Sequence, residues 1–278
     1  MNSEKQLEIK RKFGVRSMME ILDDLIADVK TRNEKPKWPF GIKEIDHMTH
    51  GLHASELSII AARTSHGKTS MANQIVLNLL AENIAVLYIS LEMADKEILE
   101  RMLVNQLKIN SWKLRNGVNE EIERFISNES TIKAILNAEP LIIANRYGRK
   151  IQEVEELVKA FYPSVIVIDH AQMCSHSEFK SRNDAVGAYV QGLKEIAMTY
   201  KCAVILNSQV NREGSGNSNQ LDFLKYSGEL EEVSDLVMQC QWLYRDDLSE
   251  DPSEYDVTIV KQRNGPTGKV RLNFDPVY

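Results

Sequence analysis

From Gly41 onward, short apolar runs alternate with longer mixed stretches. The runs at 57–61, 85–90, 141–144, 165–168 and 203–206 read as buried strands. Helical stretches lie between them, at about 68–81, 96–107, 120–137, 151–161 and 185–200. Strands separated by helices predict an α/β fold whose mostly parallel central sheet is covered on both faces. The last third changes character. Runs at 236–244, 256–261 and 269–274 read as consecutive strands, so late antiparallel strands are expected, with a turn at Asn264-Gly265-Pro266-Thr267-Gly268 between the last two.

The first 16 residues are polar. A helix is predicted from Ser17, because Ser17-Met18-Met19-Glu20 has the capping-box pattern. Met18, Leu22, Leu25 and Val29 follow at helical spacing, and the helix ends before Pro36. Pro36 and Pro39 stiffen a linker behind it. The helix either packs on its own domain or docks on a neighbouring subunit; the proline-marked linker favours docking. The chain therefore divides into an N-terminal arm and linker helix, 1–40, and one large domain, 41–278.

Composition narrows the classes. Hydrophobic residues make up 43% of 278, which supports a full core. The formal net charge of −6 argues against nucleic-acid binding by a uniformly basic surface. Only a local cluster, or a channel made by assembly, could serve. Cys174, Cys202 and Cys240 form no CxxC, so neither a zinc site nor a disulfide framework is expected. No run approaches the ~18 apolar residues of a membrane span, and the N-terminus lacks a signal-peptide core. A cytoplasmic protein with no membrane contact is expected. His47, His50 and His53 recur every third residue, but no Cys accompanies them, and they read as part of a turn and not as a metal site.

The strongest chemical signal is Ala62-Arg63-Thr64-Ser65-His66-Gly67-Lys68-Thr69, between a predicted strand and a predicted helix. That is the setting of a phosphate-binding P-loop. Backbone amides across Arg63, Thr64, Ser65, His66, Gly67, Lys68, Thr69 and Ser70 would face the phosphates of ATP. Lys68 would reach the β- and γ-phosphates, and the Thr69 hydroxyl would ligate Mg²⁺. Ala62 stands where the general pattern has glycine, and a GKT in an ordinary loop is the competing reading.

Four more elements lie near strand ends, where ligands bind in open α/β sheets. Val165-Ile166-Val167-Ile168 ends on Asp169, either a Mg²⁺-holding acid or a cap of the next turn. Glu92, in Ser90-Leu91-Glu92-Met93, is either a base for the attacking water or a surface carboxylate. Gln209, just past a strand, can hydrogen-bond a γ-phosphate or water. Lys261 and Arg263 sit two apart on a late strand and point to one side. They are either an arginine finger with its partner, acting on a neighbour's nucleotide, or charges that keep an edge strand from aggregating.

Taken in order, GIKEIDHMTHGL, AARTSHGKTS, ISLEM, VIVIDHAQM, NSQVNR, YSGELEEVSDLV, YRDD and KQRNGPTGKVRL resemble the C-terminal motor domain of DnaB-type replicative DNA helicases, from about Gly41 to Phe274. The resemblance implies a RecA-like P-loop NTPase fold that hydrolyses ATP with Mg²⁺. It implies Lys68 and Thr69 at the phosphates and Mg²⁺, Glu92 as catalytic base, Asp169 as the Walker B acid and Gln209 as sensor. Arg263, aided by Lys261, would be a finger supplied across the interface of a hexameric homo-oligomer. Family members track single-stranded DNA through channel loops, and the matching loop here contains Lys225, Tyr226, Ser227 and Gly228. Lys-Tyr-Ser-Gly replaces the family's common Arg-Glu-Ser-Gly; Lys225 and backbone amides can still hold phosphate, and Tyr226 can add stacking. His170 stands where the family often has tyrosine, and Thr64 where it usually has proline. The family usually carries an N-terminal helical domain that binds primase, whereas some 40 residues precede the motor here. That fits a small variant of the kind a phage encodes, or a shortened chain. Primase and a helicase loader are the further partners implied. The competing functions are a RecA- or RadA-like recombinase and a helicase-like assembly partner without unwinding.

Overall fold

The computed structural model describes residues 16–30, 37–137, 141–145, 147–177, 179–210 and 228–275. It falls into two compact units, Met1–Pro36 and Lys37–Tyr278. The described part of the first is one helix, α1 (Met18–Lys30). Its start is the expected capping box: the Glu20 amide donates to Ser17 Oγ at 3.2 Å and the Ser17 amide to Glu20 Oε2 at 2.6 Å. Met18, Leu22, Leu25 and Val29 on this helix are all exposed.

The second unit opens with a two-stranded ribbon, β1 (Lys37–Trp38) and β2 (Leu52–His53), around α2 (Lys43–Thr49). The three spaced histidines fall in α2, in its left-handed C-cap and in β2. The main sheet follows: β3 (Leu57–Ala62), β4 (Val86–Ser90), β5 (Leu141–Asn145), β6 (Val165–Asp169), β7 (Ala203–Gln209), β8 (Leu236–Trp242), β9 (Glu254–Gln262) and β10 (Gly268–Asn273). Among the described residues its order is β10-β9-β8-β3-β7-β6-β4-β5. Strands from β8 to β5 in that order are parallel, and β9 and β10 run antiparallel at one edge.

The helices are α3 (Lys68–Ala81), α4 (Asp95–Gln106), α5 (Ser111–Arg115), α6 (Asn119–Ser127), α7 (Glu129–Asn137), α8 (Ile151–Phe161), α9 (Arg182–Tyr200), α10 (Gly228–Val233) and α11 (Leu243–Asp246). Both sheet faces are covered. Ile60 and Ala62 of β3 pack with α3 and the β9 residues Tyr255 and Val257, while Leu57, Ile59 and Ala61 pack with α9. Burial on both faces is why the parallel strands are apolar at nearly every position rather than at alternate ones.

Besides shifts of one to three residues at several ends, such as Arg182 for 185 and Glu254 for 256, three departures from expectation have visible local partners. The single helix expected over 120–137 is two, broken at Asn128. The Asn128 side chain donates back to the Arg124 carbonyl at 2.7 Å, a local bond that competes with helix continuation. The strand expected over 236–244 ends at Trp242, whose amide is taken by His66 Nδ1 at 3.1 Å, and a short helix, α11, replaces its end. The strand expected to stop at Leu206 runs to Gln209, fully paired with β3.

Candidate active site

Parallel packing brings the C-terminal ends of β3, β4, β6 and β7 together, and four of the predicted elements meet there. The loop after β3 turns sharply. Ser65 and Gly67 both adopt left-handed backbone, with φ of 65° and 74°. Glycine is needed at position 67, because a Cβ would meet the Tyr255 ring at 3.2 Å as well as the unfavourable φ. Gly67 is also the N-cap of α3, so the first-turn amides of Lys68, Thr69 and Ser70 have no acceptor within the helix and are free for an anion.

The loop is anchored from behind. Tyr255 Oη donates to the His66 carbonyl at 2.8 Å, and the His66 ring accepts from Trp242. Arg63 reaches Asp246 of α11 at 2.9 Å. The side chains of Arg63 and His66 thus face the late strands. The His66 amide points back to the Arg63 carbonyl at 3.2 Å, so it is engaged within the loop rather than free, contrary to the expectation for a cradle amide. A cavity of about 740 Å³ opens beside the loop, bordered by Gly67, Ser70, Met71, Tyr255, Arg271 and Phe274.

Thr69 and Asp169 converge. The Thr69 hydroxyl donates to Asp169 Oδ2 at 2.7 Å, and Tyr88 Oη contacts the same oxygen at 3.5 Å. Asp169 Oδ1 is buried with no hydrogen-bond partner, and Lys68 Nζ lies 3.7 Å away. A buried carboxylate oxygen left open next to a hydroxyl is a donor set that suits a hard cation with oxygen ligands. Burial holds the Lys68 ammonium below the ordinary lysine value, and the charges of Asp169 and Glu92 oppose that shift.

Glu92 follows β4 and is 58% exposed on its side chain. Its Oε2 lies 3.0 Å from Nδ1 of His170, whose side chain is only 6% exposed. The approach is off hydrogen-bond geometry, which leaves Nδ1 without a partner. Burial pushes His170 below the ordinary histidine value; Lys68 adds to the shift, and Asp169 and Glu92 resist it.

Gln209 closes the near side. Its amide Nε2 donates to Thr64 Oγ1 at 2.6 Å. Gln172, which the motif reading passed over, holds it in place: Gln172 Oε1 accepts from the Gln209 amide at 3.1 Å, and Nε2 donates to Ser208 Oγ at 3.0 Å. Tyr88 and Tyr255 were missed too. Both are buried core residues whose only polar atom reaches the site, and nothing in sequence spacing distinguishes them from other core aromatics.

Lys261 and Arg263 are not part of this cluster. Register places β9 antiparallel to β8, with Gln262 opposite Leu236 at the start of β8, whereas the P-loop leaves β3 at Ala62, opposite Cys240. Both cations therefore sit at the far end of the sheet from their own P-loop. Lys261 Nζ donates to the carbonyls of Glu231 and Ser234, and Arg263 to that of Glu232 at 2.7 Å, so they cap the C-terminal end of α10. Arg263 also lies 3.4 Å from Asp235, a buried acid paired with Lys194 at 2.6 Å. Lys225, Tyr226 and Ser227 lie outside the described residues, and Gly228 is the first residue of α10.

The model of the DnaB-like helicase C-terminal domain family matches residues 38–278. The chain belongs to this family. A probable replicative DNA helicase of Trieres chinensis is 30% identical, covering 98% of this chain and 63% of its own. The replicative DNA helicases DnaB of Buchnera aphidicola (strain APS) and Haemophilus influenzae are each 31% identical, with 96% and 91% of this chain covered and 61% and 56% of theirs. The chain thus spans about three fifths of the length of these curated relatives. Among solved structures, an ATPase domain superposes with a TM-score of 0.81 at 25% identity, over 95% of this chain and 97% of that one. A DnaB-like replicative helicase, solved in a study of its interactions with primase, gives 0.80 at 25% identity, over 95% of this chain and 66% of that one. The α/β fold with late antiparallel strands is therefore the RecA-like fold of DnaB-type ATPase domains. Among the described residues no helix is long and apolar enough to cross a membrane.

Proposed function

We propose that this chain is the ATP-hydrolysing motor of a replicative DNA helicase, moving on single-stranded DNA as a homo-oligomeric, hexameric ring. The observation that carries the reading is the split between two ends of one sheet. Lys68, Thr69, Asp169, Glu92 and Gln209 gather at one end, and Lys261 and Arg263 lie at the other. Each end is half of a phosphoryl-transfer site, and a neighbouring copy supplies the other half.

Lys68 neutralises charge on the β- and γ-phosphates, held close by burial and by Asp169. Thr69 and Asp169 hold Mg²⁺, and the open Asp169 Oδ1 supports that fit. When bound, Mg²⁺ draws charge from the phosphate oxygens. Glu92 accepts the proton of the attacking water. Gln209, tied to Thr64, senses the γ-phosphate. Arg263, with Lys261 beside it, stabilises charge on a neighbour's nucleotide. The segment with Lys225, Tyr226, Ser227 and Gly228 follows the sensor strand in the chain and supplies contacts to single-stranded DNA, and the net charge is no obstacle because several subunits contribute to one strand. The exposed apolar stripe of α1 supports docking on an adjacent subunit, and primase and a loader are the partners expected of the ring.

The test is the ATPase rate with and without single-stranded DNA, alongside mass in solution and strand displacement. Stimulated turnover by a ring that separates a forked duplex is the expected result. Stimulation without unwinding, even with primase and loader supplied, would leave only an assembly role. A filament on DNA would favour recombinase function.

A further inference from the structure

One buried polar atom in the site has no role in the scheme above. His170 Nδ1 sits on a side chain only 6% exposed, lacks a hydrogen-bond partner, and lies 3.0 Å from Glu92 Oε2. The backbone fixes this neighbourhood firmly. Ser90 pairs with Asp169 across β4 and β6, and the Leu91 amide donates to the Asp169 carbonyl at 2.8 Å. Glu92 and His170 are each one residue beyond those ties. The Glu92 side chain, by contrast, is 58% exposed, and among the described residues no hydrogen bond holds its carboxylate. A long exposed carboxylate samples many rotamers, most of them useless to a water placed for in-line attack.

We propose that His170 is a positioning residue for Glu92: its Nδ1–H takes one carboxylate oxygen and leaves the other to face the attacking water. Several observations support this. The imidazole is locked in the core, so it directs the carboxylate without losing rotamer freedom of its own. A carboxylate is an acceptor only, which selects the tautomer with the proton on Nδ1. A buried donor left unmet is costly, and a small rotation of the exposed Glu92 side chain turns the present 3.0 Å approach into a charge-assisted hydrogen bond. The other charged groups around the ring, Lys68 and Asp169, are engaged with each other and with Thr69. The inference rests on the reading of Glu92 as the base.

Three substitutions in the full chain test it, assayed as ATPase with single-stranded DNA. Asparagine places an amide nitrogen where histidine has Nδ1; leucine has asparagine's shape without the donor; glutamine carries its amide too far out. H170N should retain most of the wild-type kcat. H170L and H170Q should lose roughly tenfold to a hundredfold in kcat, the scale of a misplaced catalytic group, with KM unchanged. Nucleotide binding and mass in solution show that each variant has folded, and if H170L does not fold, the comparison of H170N with H170Q carries the test. H170L and H170Q turning over like wild type, or H170N failing as badly as they do, overturns the proposal. E92Q is measured separately. If it turns over normally, the base assignment itself has failed, a different result from any in the His170 series.

Discussion

Arg263→Ala separates a finger that acts on its own subunit from one that acts on a neighbour. The Arg263 amide is bonded to the Asp235 carbonyl, and Cys240, five residues further along, lies opposite Ala62 at the mouth of the P-loop. At about 3.3 Å per residue, those five residues put roughly 16 Å of sheet between the finger's backbone and its own P-loop. No single side chain spans that distance through a packed core. The variant should bind ATP normally and lose roughly 10³–10⁵-fold in turnover. Lys68→Ala should be inactive for the opposite reason. Mixed in equal amounts and allowed to exchange, the two variants should regain hydrolysis, because about a quarter of head-to-tail interfaces then pair an intact P-loop with an intact finger. The assay is ATPase with single-stranded DNA across mixing ratios, with mixed oligomers verified by mass. Arg263→Ala also removes bonds to Glu232 and Asp235, so its own assembly is measured first. If mixed oligomers form and no ratio restores activity, Arg263 acts within its own subunit or only supports α10, and the two-ended site is wrong.

Lys68→Ala on its own should abolish hydrolysis, since catalysis here is electrostatic; near-normal turnover would remove the P-loop assignment. Glu92→Gln should keep nucleotide binding and lower turnover about 10²–10⁴-fold, and weakened binding with intact chemistry would make the residue structural. Deleting residues 1–35 should yield smaller species in sedimentation while the remainder folds; unchanged oligomers would contradict docking by α1. Asp235→Ala strands a mostly buried Lys194 and the Leu57 amide, and should cost about 3–5 kcal/mol in denaturant unfolding, part of it recovered by adding Lys194→Met. A loss under ~1 kcal/mol would show that the pair contributes little.

Elements defined by local rules were readable in advance. The capping box at Ser17, the buried strand ending in Asp169 and the strand–loop–helix around Lys68 each depend on neighbours within a few residues. The break at Asn128 was not, because a side-chain bond four residues back outweighed a continuous helical pattern. Gln172 and Asp235 escaped for a different reason. Their partners are 36 and 41 positions away, at Ser208 and Lys194, and sequence spacing carries no trace of contacts made only when β6 meets β7, or when α9 crosses the start of β8. Lys261 and Arg263 were legible as neighbouring cations, although β9 ends at Gln262 and Arg263 lies just past it. Only the antiparallel register revealed at which end of the sheet they lie.

The tie between Tyr255 and the His66 carbonyl carries a consequence for how lesions in this protein would present themselves. The hairpin of β9 and β10 reaches the P-loop turn through that hydroxyl and through the Tyr255 and Phe274 rings that crowd Gly67. Damage anywhere along the hairpin that lets Tyr255 drift would slacken the turn at Gly67 and weaken nucleotide capture. In a genetic screen such alleles would masquerade as P-loop mutants, though they map some two hundred positions downstream. Suppressors should cluster around Trp242 and α11, the other straps on the same loop.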